Sequence, residues 1–591
     1  MLSTLRESKS RDVALVGAAV VVGGTTLVVS SAVLKFLWRF GTGWVSSWWS
    51  YGHIREEGDL SGILGLSDTN LFMGDGIEKF WRNYLEMRTK RGSSPRIFYG
   101  GWSPLLMAPL VMVVSPEANE RVLRDVKDFP TPDSFNESFE PLIGQSLVTS
   151  EGKLWKRQRK LLTPLFHFSN LKDNALPASV RCSERIMVRE IVKAQELKKN
   201  GDAKGLKNLQ SGATEVFSLL SLGVLVETTF GGDVDVEKMR DLWGGATRSL
   251  NYWTILRMML GSLVDWWPFW PCRDALAACK KLRGTVQELI NTRRADLKNG
   301  QQRGTEDLIT LMLLARDPET GEEMGDSLII DEALLMLVAS QQTTSSLLAW
   351  ATYFLCKHPE VQERLRDELM SQLEALSPEA KESSVSQGEL KGIETAALRS
   401  PLLTAVLKET LRLASPAPFI VRETRTEQDL DGLKVPKGAM VLPFFHGTHT
   451  SPEAWGENSY EFDPERFIIH RETEEAEAKG GERETEETGS ETKAGSEVET
   501  EGGDTRKAAA SGKGTSYQPR HAYAFTPFSA GPRNCIGMRL AMQVAQVALA
   551  TLVLTFDISS PPEVDLSKVT MRVDDTLKPS KEFVPVFERR I

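Results

Sequence analysis

Histidine and cysteine are scarce in this 591-residue chain, and neither is arranged for metal binding. The seven histidines form no HExxH or HxH cluster, which argues against a zinc enzyme. The five cysteines, Cys182, Cys272, Cys279, Cys356 and Cys535, are scattered and odd in number. That pattern argues against a secreted disulfide scaffold and for a reducing compartment. A basic excess is missing too: 71 Lys and Arg stand against 80 Asp and Glu, a net charge of −9 that argues against a nucleic-acid binder. No internal repeat is found. With 41% hydrophobic and 26% charged residues, the chain is neither fibrous nor wholly disordered, and it is long enough to bury a large core.

Most of the acidity is local. Arg471 to Lys507 holds thirteen acidic and six basic residues, net −7, which leaves the rest of the chain at −2. From Arg471 to Ser516, Val498 is the only large apolar residue. Such a stretch cannot bury enough surface to offset its ordering entropy, so 471–516 is expected to be a disordered acidic insertion. Tyr517–Phe528 (YQPRHAYAFTPF) returns at once to ordered-type sequence, so the segment interrupts a domain and does not end one.

Charge is absent from the 22 residues Val13–Leu34. At about 1.5 Å per residue this run spans roughly 33 Å, close to the hydrocarbon thickness of a bilayer. A cleaved signal peptide has a shorter apolar core, so the run is expected to be an uncleaved transmembrane anchor. Trp38, Trp44, Trp48, Trp49 and Tyr51 follow, as at a membrane interface. The layout expected is a flank over 1–12, the anchor over 13–34, a membrane-proximal tether over 35–95 and one globular domain over 96–591. A second apolar stretch, Trp266–Cys272 (WWPFWPC), reads either as a membrane-dipping segment or as a proline-braced packing knot.

Within the globular part, Ile97–Gly101 and Pro109–Val114 read as short strands, and SPEANERVLR after them as a helix start. Residues 150–415 are dominated by helical periodicity. Leu328–His358 contains neither Pro nor Gly, which predicts a central helix buried along most of its length. Leu433–Phe445 returns to strand signals.

The strongest chemical signal is Phe528–Gly537, FSAGPRNCIG. Gly531 and Pro532 shape a tight loop, and Gly537 permits close backbone approach. Cys535 precedes a helix-like run from Met538, a position expected to lower its thiol pKa. This frame resembles the cytochrome P450 family, in which the cysteine is the axial thiolate of haem iron. The resemblance runs from about Ser93 to the C-terminus, outside the insertion.

The resemblance implies further roles. Glu409 and Arg412 in KETLR, with Arg466 in FDPERF, match a buried Glu–Arg–Arg triad that braces the haem loop. Trp155 and Arg159, four apart on one helix face, match residues at a haem propionate. Arg422 and Arg533 match other propionate-binding positions, where guanidinium groups clamp carboxylates bidentately. Lys153, Lys156, Arg157 and Lys160 share another face of the Trp155 helix. They are either an ordinary solvated face or the footprint of an acidic flavoprotein reductase.

In ASQQTT (Ala339–Thr344), Thr343 matches the threonine that bonds dioxygen and passes protons. Two departures stand beside it. Ser340 replaces a glycine and is expected to bond back to the Met336 carbonyl. Gln342 replaces an acid and cannot ionise. Many fatty-acid ω-hydroxylases, the branch closest in wording, carry at the Ala339 position a Glu that can esterify haem.

The implied fold is mainly α with a small β region, a triangular prism on one transmembrane helix. The implied function is a membrane-bound haem-thiolate monooxygenase with haem b (iron protoporphyrin IX). It would use O2 and electrons from NADPH through a cytochrome P450 reductase on a lipophilic substrate, in the endoplasmic reticulum with the catalytic domain in the cytosol. Two alternatives remain: a hydroperoxide isomerase or dehydratase needing no reductase, and a non-catalytic haem or lipid-binding protein.

Overall fold

The computed structural model describes residues 97–590, apart from 104–107, 200–212, 232–233, 243–252, 255, 258–263, 265–269, 301–306, 318, 377–391, 469–520 and 574–575. The expected anchor and tether lie outside the described residues. So does the acidic insertion, and most of the Trp266–Cys272 stretch.

Strands β1 (Ile97–Ser103) and β2 (Ala108–Val113) pair antiparallel, with a bulge between Tyr99 and Gly101. Ser115 then caps helix α1 (Pro116–Arg124): its side chain accepts from the Ala118 N–H at 3.0 Å, and Pro116 supplies the preset φ of a first helical turn. Helices α2 (Asp133–Ile143) and α3 (Gly152–Leu162) follow, then α4 (Ala213–Phe230) and α5 (Trp270–Lys298). Trp270 thus opens a helix. The predicted central helix is α6 (Asp326–Lys357), 32 residues and about 48 Å long. Helix α7 (Pro401–Leu413) repeats the capping logic of α1, with Ser400 accepting from the Leu403 N–H at 3.0 Å.

The C-terminal half adds strands β3 (Arg422–Glu423) and β4 (Met440–Pro443), which complete a four-stranded sheet in the order β1-β2-β4-β3. Helix α8 (Met538–Thr555) comes next, and then the hairpin β5 (Met571–Val573) and β6 (Leu577–Pro579). Among the described residues α8 is the one helix long and apolar enough to cross a membrane. Gln543–Thr555 is buried throughout, so α8 is a core helix.

Helix α6 belongs to two separate apolar clusters. Ile329–Leu337 packs with α4 and α5, whereas Leu347–Leu355 packs with α7 and α8. Between them, Ala339, Ser340, Thr343 and Thr344 face a cavity instead of core. The mainly helical fold with small sheets is the one expected.

A titration follows from one buried pair. His446 and His449 on the short helix Phe445–His449 are fully enclosed. Burial first, and then the Arg412 cation, pushes His446 down to about 4. Burial, His446 and Arg412 together push His449 down to about 3. Unfolded histidine titrates near 6.5, so below that pH the unfolded chain takes up protons that the folded chain refuses. Stability should be full above about pH 6.5 and fall by about 1.4 kcal/mol per pH unit for each histidine as pH drops. Urea midpoints at pH 7.5 and 5 test this. His449→Gln, which keeps an acceptor for the Thr526 N–H (2.9 Å), should remove about half of the loss. An equal acid response in wild type and variant would refute it.

Candidate active site

The Phe528–Cys535 segment closes on itself: the Cys535 N–H donates to the Phe528 carbonyl at 2.9 Å. Gly531 has φ +69° and lies against the Leu123 carbonyl of α1, where any Cβ would collide, so glycine is required twice over. Gly537 caps α8. The Phe528 ring packs on the main apolar cluster and contributes its carbonyl, not its face, to the loop. Cys535 itself opens onto a cavity of about 430 Å³. Its thiol corrects one expectation. Burial is the largest influence and raises the pKa, with the Gly537 N–H and the Arg159 charge opposing it. Position before a helix is the weaker effect.

Three guanidinium groups line the same cavity. Arg159 donates to the Asn534 carbonyl at 2.9 Å and to its Oδ1 at 2.6 Å. Arg533 stacks 4.6 Å above the buried Trp155 ring and donates to the Leu147 and Ser150 carbonyls at 3.3 and 2.7 Å. Arg422 is buried, reaches the Thr131 hydroxyl at 3.3 Å, and is pushed down to about 10 by burial and by Arg533. Sequence reading missed Glu151, which pairs with Arg533 at 2.5 Å and accepts from the Thr131 N–H at 3.2 Å. Among the described residues Glu151 is the one carboxylate that pairs with any of the three arginines, and it pairs with Arg533 alone. Two positive charges are left over, which suits a ligand carrying two carboxylates. Together with apolar walls from Leu335, Met336, Val224 and Leu540 and an open thiol, the donor set fits a haem.

On α6, Thr343 lines the cavity and its hydroxyl donates to the Ala339 carbonyl at 2.8 Å. The back-bond expected at Ser340 is made here by Thr343 instead, and Ser340 Oγ has no partner. Gln342 is not among the residues lining the cavity. Its Oε1 accepts from Lys578 Nζ of β6 at 2.8 Å. Leu577 turns its carbonyl to Ser346 and Trp350, which stitches the β5–β6 hairpin to α6.

The family model for Cytochrome P450 matches residues 70–586. The chain belongs to the cytochrome P450 family. Curated relatives include "Probable cytochrome P450 4s3" of Drosophila melanogaster, 27% identical over 80% of this chain and 81% of that one. Human "Ultra-long-chain fatty acid omega-hydroxylase" is 28% identical over 76% and 74%. Human "Cytochrome P450 4F2" is 28% identical over 76% of each chain. The fold matches "Crystal structure of cytochrome P450DA heme domain" with a TM-score of 0.65 at 19% identity, covering 90% of this chain and 98% of that one. The protein is therefore a cytochrome P450 monooxygenase whose cofactor is haem-thiolate iron protoporphyrin IX.

In this cytochrome P450 the three residues expected as a triad do meet. Glu409 takes Arg412 Nε and Nη2 bidentately at 2.7 Å each, and Arg466 Nε stands 3.5 Å from its Oε1. Arg412 also donates to the carbonyls of His449, Ser459 and Glu461. His449 receives the Thr526 N–H, which ties the network to the segment leading into Cys535.

The basic face of α3 is partly paired. Arg157 is paired with Asp317 and Glu322 at 2.7 Å each, and Lys160 with Glu319 at 2.8 Å. Asp317, Glu319 and Glu322 thus lie against two of the four basic residues. Lys153 and Lys156 remain exposed on that face.

Proposed function

We propose that this monooxygenase hydroxylates a long-chain lipid, with electrons delivered from NADPH by a cytochrome P450 reductase. We also propose that it is anchored in the endoplasmic reticulum membrane by Val13–Leu34, with the globular domain 96–591 in the cytosol. The observation that carries the substrate class is the cavity, walled by Leu335, Met336, Leu225 and Phe135 between Cys535 and Thr343. The kinship with a human enzyme named for ultra-long-chain fatty acids supports it.

In this reading Cys535 is the sole protein ligand of the iron. Arg159, Arg422 and Arg533 hold the propionates, with Trp155 stacked on Arg533. Bound haem supplies the oxygen-activating chemistry. The chain supplies the rest: apolar walls that exclude water, and a hydroxyl at Thr343 that accepts and passes protons after leaving the Ala339 carbonyl. Reductase docking falls to the basic face of α3, where Lys153 and Lys156 are exposed and the surface pairs of Arg157 and Lys160 are weak enough to exchange partners. The insertion at 471–516 carries no catalytic role.

A second reading, a hydroperoxide isomerase, draws on Gln342, whose amide is tied to Lys578 and cannot ionise. Reconstitution with reductase, NADPH and a long-chain fatty acid, against a lipid hydroperoxide alone, separates the two. Thr343→Ala should cut product per NADPH by about tenfold or more and release hydrogen peroxide, whereas Thr343→Ser should retain coupling. Gln342→Asp should leave coupling unchanged, because Lys578 would neutralise the new carboxylate. Turnover of the hydroperoxide without NADPH, indifferent to Thr343→Ala, would replace the first reading by the second.

A further inference from the structure

Between the short helix Leu308–Leu314 and the start of α6, the chain folds back on itself and meets α3. Arg316 and Glu323 face each other across the base of this turn and pair at 2.8 Å. The Asp317 N–H donates to the Glu322 carbonyl at 2.9 Å, and the Gly321 N–H to the Asp317 carbonyl at 2.7 Å. Gly321 takes φ +71°, a conformation open to glycine. Backbone bonds therefore hold the turn closed from both strands.

The three acids of the turn that reach α3 are of two kinds. Asp317 is buried, accepts from the Glu319 N–H at 2.9 Å, and meets Arg157 Nε at 2.7 Å. It is part of the turn and fixes the turn to α3. Glu319 and Glu322 carry side chains that are 78% and 65% exposed. Glu319 reaches Lys160 Nζ at 2.8 Å, and Glu322 reaches Arg157 Nη2 at 2.7 Å. Ion pairs so open to water are weak, so these two can change partners while Asp317 keeps both carboxylates at hand.

We propose that the turn is a built-in competitor for the electron donor: Glu319 and Glu322 occupy Lys160 and Arg157, and carboxylates of the acidic reductase displace them on docking. The identity of the displacing partner rests on the reading of this face as the reductase footprint; the pairs within the chain do not.

Two stages of docking follow from the charges. Lys153 and Lys156 are exposed and take no part in the pairs with the turn, so they steer the first encounter. Arg157 and Lys160 join only when carboxylates of the partner arrive at contact distance. A partner whose carboxylates fall elsewhere leaves the internal pairs in place. It then meets four cations offset by Asp317, Glu319 and Glu322, a net charge of +1. The exchange thus rewards placement of charge and not its mere amount.

The test is the affinity of purified cytochrome P450 reductase for the full-length, haem-loaded protein, measured by surface plasmon resonance at low and high salt. Glu319→Ala combined with Glu322→Ala should bind about threefold to tenfold more tightly at low salt, and the gain should shrink as salt screens the charges. Loss of two negative charges would attract an acidic partner in any case, so a double-mutant cycle decides between the two causes. Glu319→Ala should tighten binding when Lys160 is present and give no gain in a Lys160→Gln background, where there is no pair to release. An equal gain in both backgrounds, or none in either, would overturn the competitor. Lys153→Glu combined with Lys156→Glu tests the footprint separately. Weakened binding in that variant, with no coupling between Glu319 and Lys160, would remove the competitor and keep the footprint. Unchanged binding would remove the footprint itself, and with it the reductase as the displacing partner.

Discussion

Cys535→Ser should abolish the red-shifted Soret band of the reduced carbon monoxide complex. A serine hydroxyl does not ionise in the accessible pH range, so it cannot supply the electron-rich thiolate that shifts the band. Haem should still enter, because the apolar walls and the three arginines remain, and the complex should absorb where a neutral or weak axial ligand places it. What singles out Cys535 is position, since its thiol is itself raised by burial. Cys182 donates to Glu227 at 3.4 Å and Cys356 to the Ser559 carbonyl at 3.3 Å, and burial pushes Cys356 up to about 12. Neither they nor Cys279 line the cavity. Serine at Cys182 or Cys356 keeps a donor for the same acceptor, so both variants should give the normal spectrum. Carbon monoxide difference spectra of the purified protein are the measurement. A normal band in Cys535→Ser would end the ligand assignment.

Much of this site was legible because its signals are local. Phe528–Gly537 carries its own turn residues, and the loop forms as they require. The absence of Pro and Gly from Leu328–His358 located α6 to within two residues at its start and one at its end. Periodicity shows which face a residue occupies, not what arrives to cover it. Arg157 meets Asp317 across 160 positions, and Lys578 meets Gln342 across 236. Nothing in the wording of α3 announces an acidic turn that far along the chain. Glu151 escaped for the same reason: a single carboxylate before a helix reads as an ordinary first-turn acid, until folding sets it against Arg533, 382 residues away in sequence. The thiol failed differently. The helix-end argument used neighbours in sequence, whereas burial, the larger influence, comes from tertiary packing and has no local signature.

Glu409→Ala should cost more than any other single change outside the iron ligand. The Glu409 and Arg412 side chains are both fully enclosed, and Arg466 nearly so. Removing the carboxylate leaves two guanidinium groups in the interior with no counter-charge from Glu409, and strips the Asp463 N–H of its acceptor at 2.9 Å. Breaking a buried pair in this way costs about 3–5 kcal/mol, a large share of the 5–15 kcal/mol that holds a domain together. The damage should travel along a definite path. Arg412 organises the carbonyls of His449, Ser459 and Glu461 and stacks 5.0 Å from Trp455, while Trp455 donates to the Ala524 carbonyl at 3.3 Å. His449 receives the Thr526 N–H two residues before Phe528, so loosening the network loosens the approach to Cys535. Haem content per chain should therefore fall together with the urea midpoint. Glu409→Gln keeps the shape and one acceptor but no charge, and should land between wild type and Glu409→Ala. Arg412→Lys should also lose stability, because an ammonium cannot serve Glu409 bidentately and three carbonyls at once. An unchanged urea midpoint in Glu409→Ala would show that the network contributes nothing to the fold.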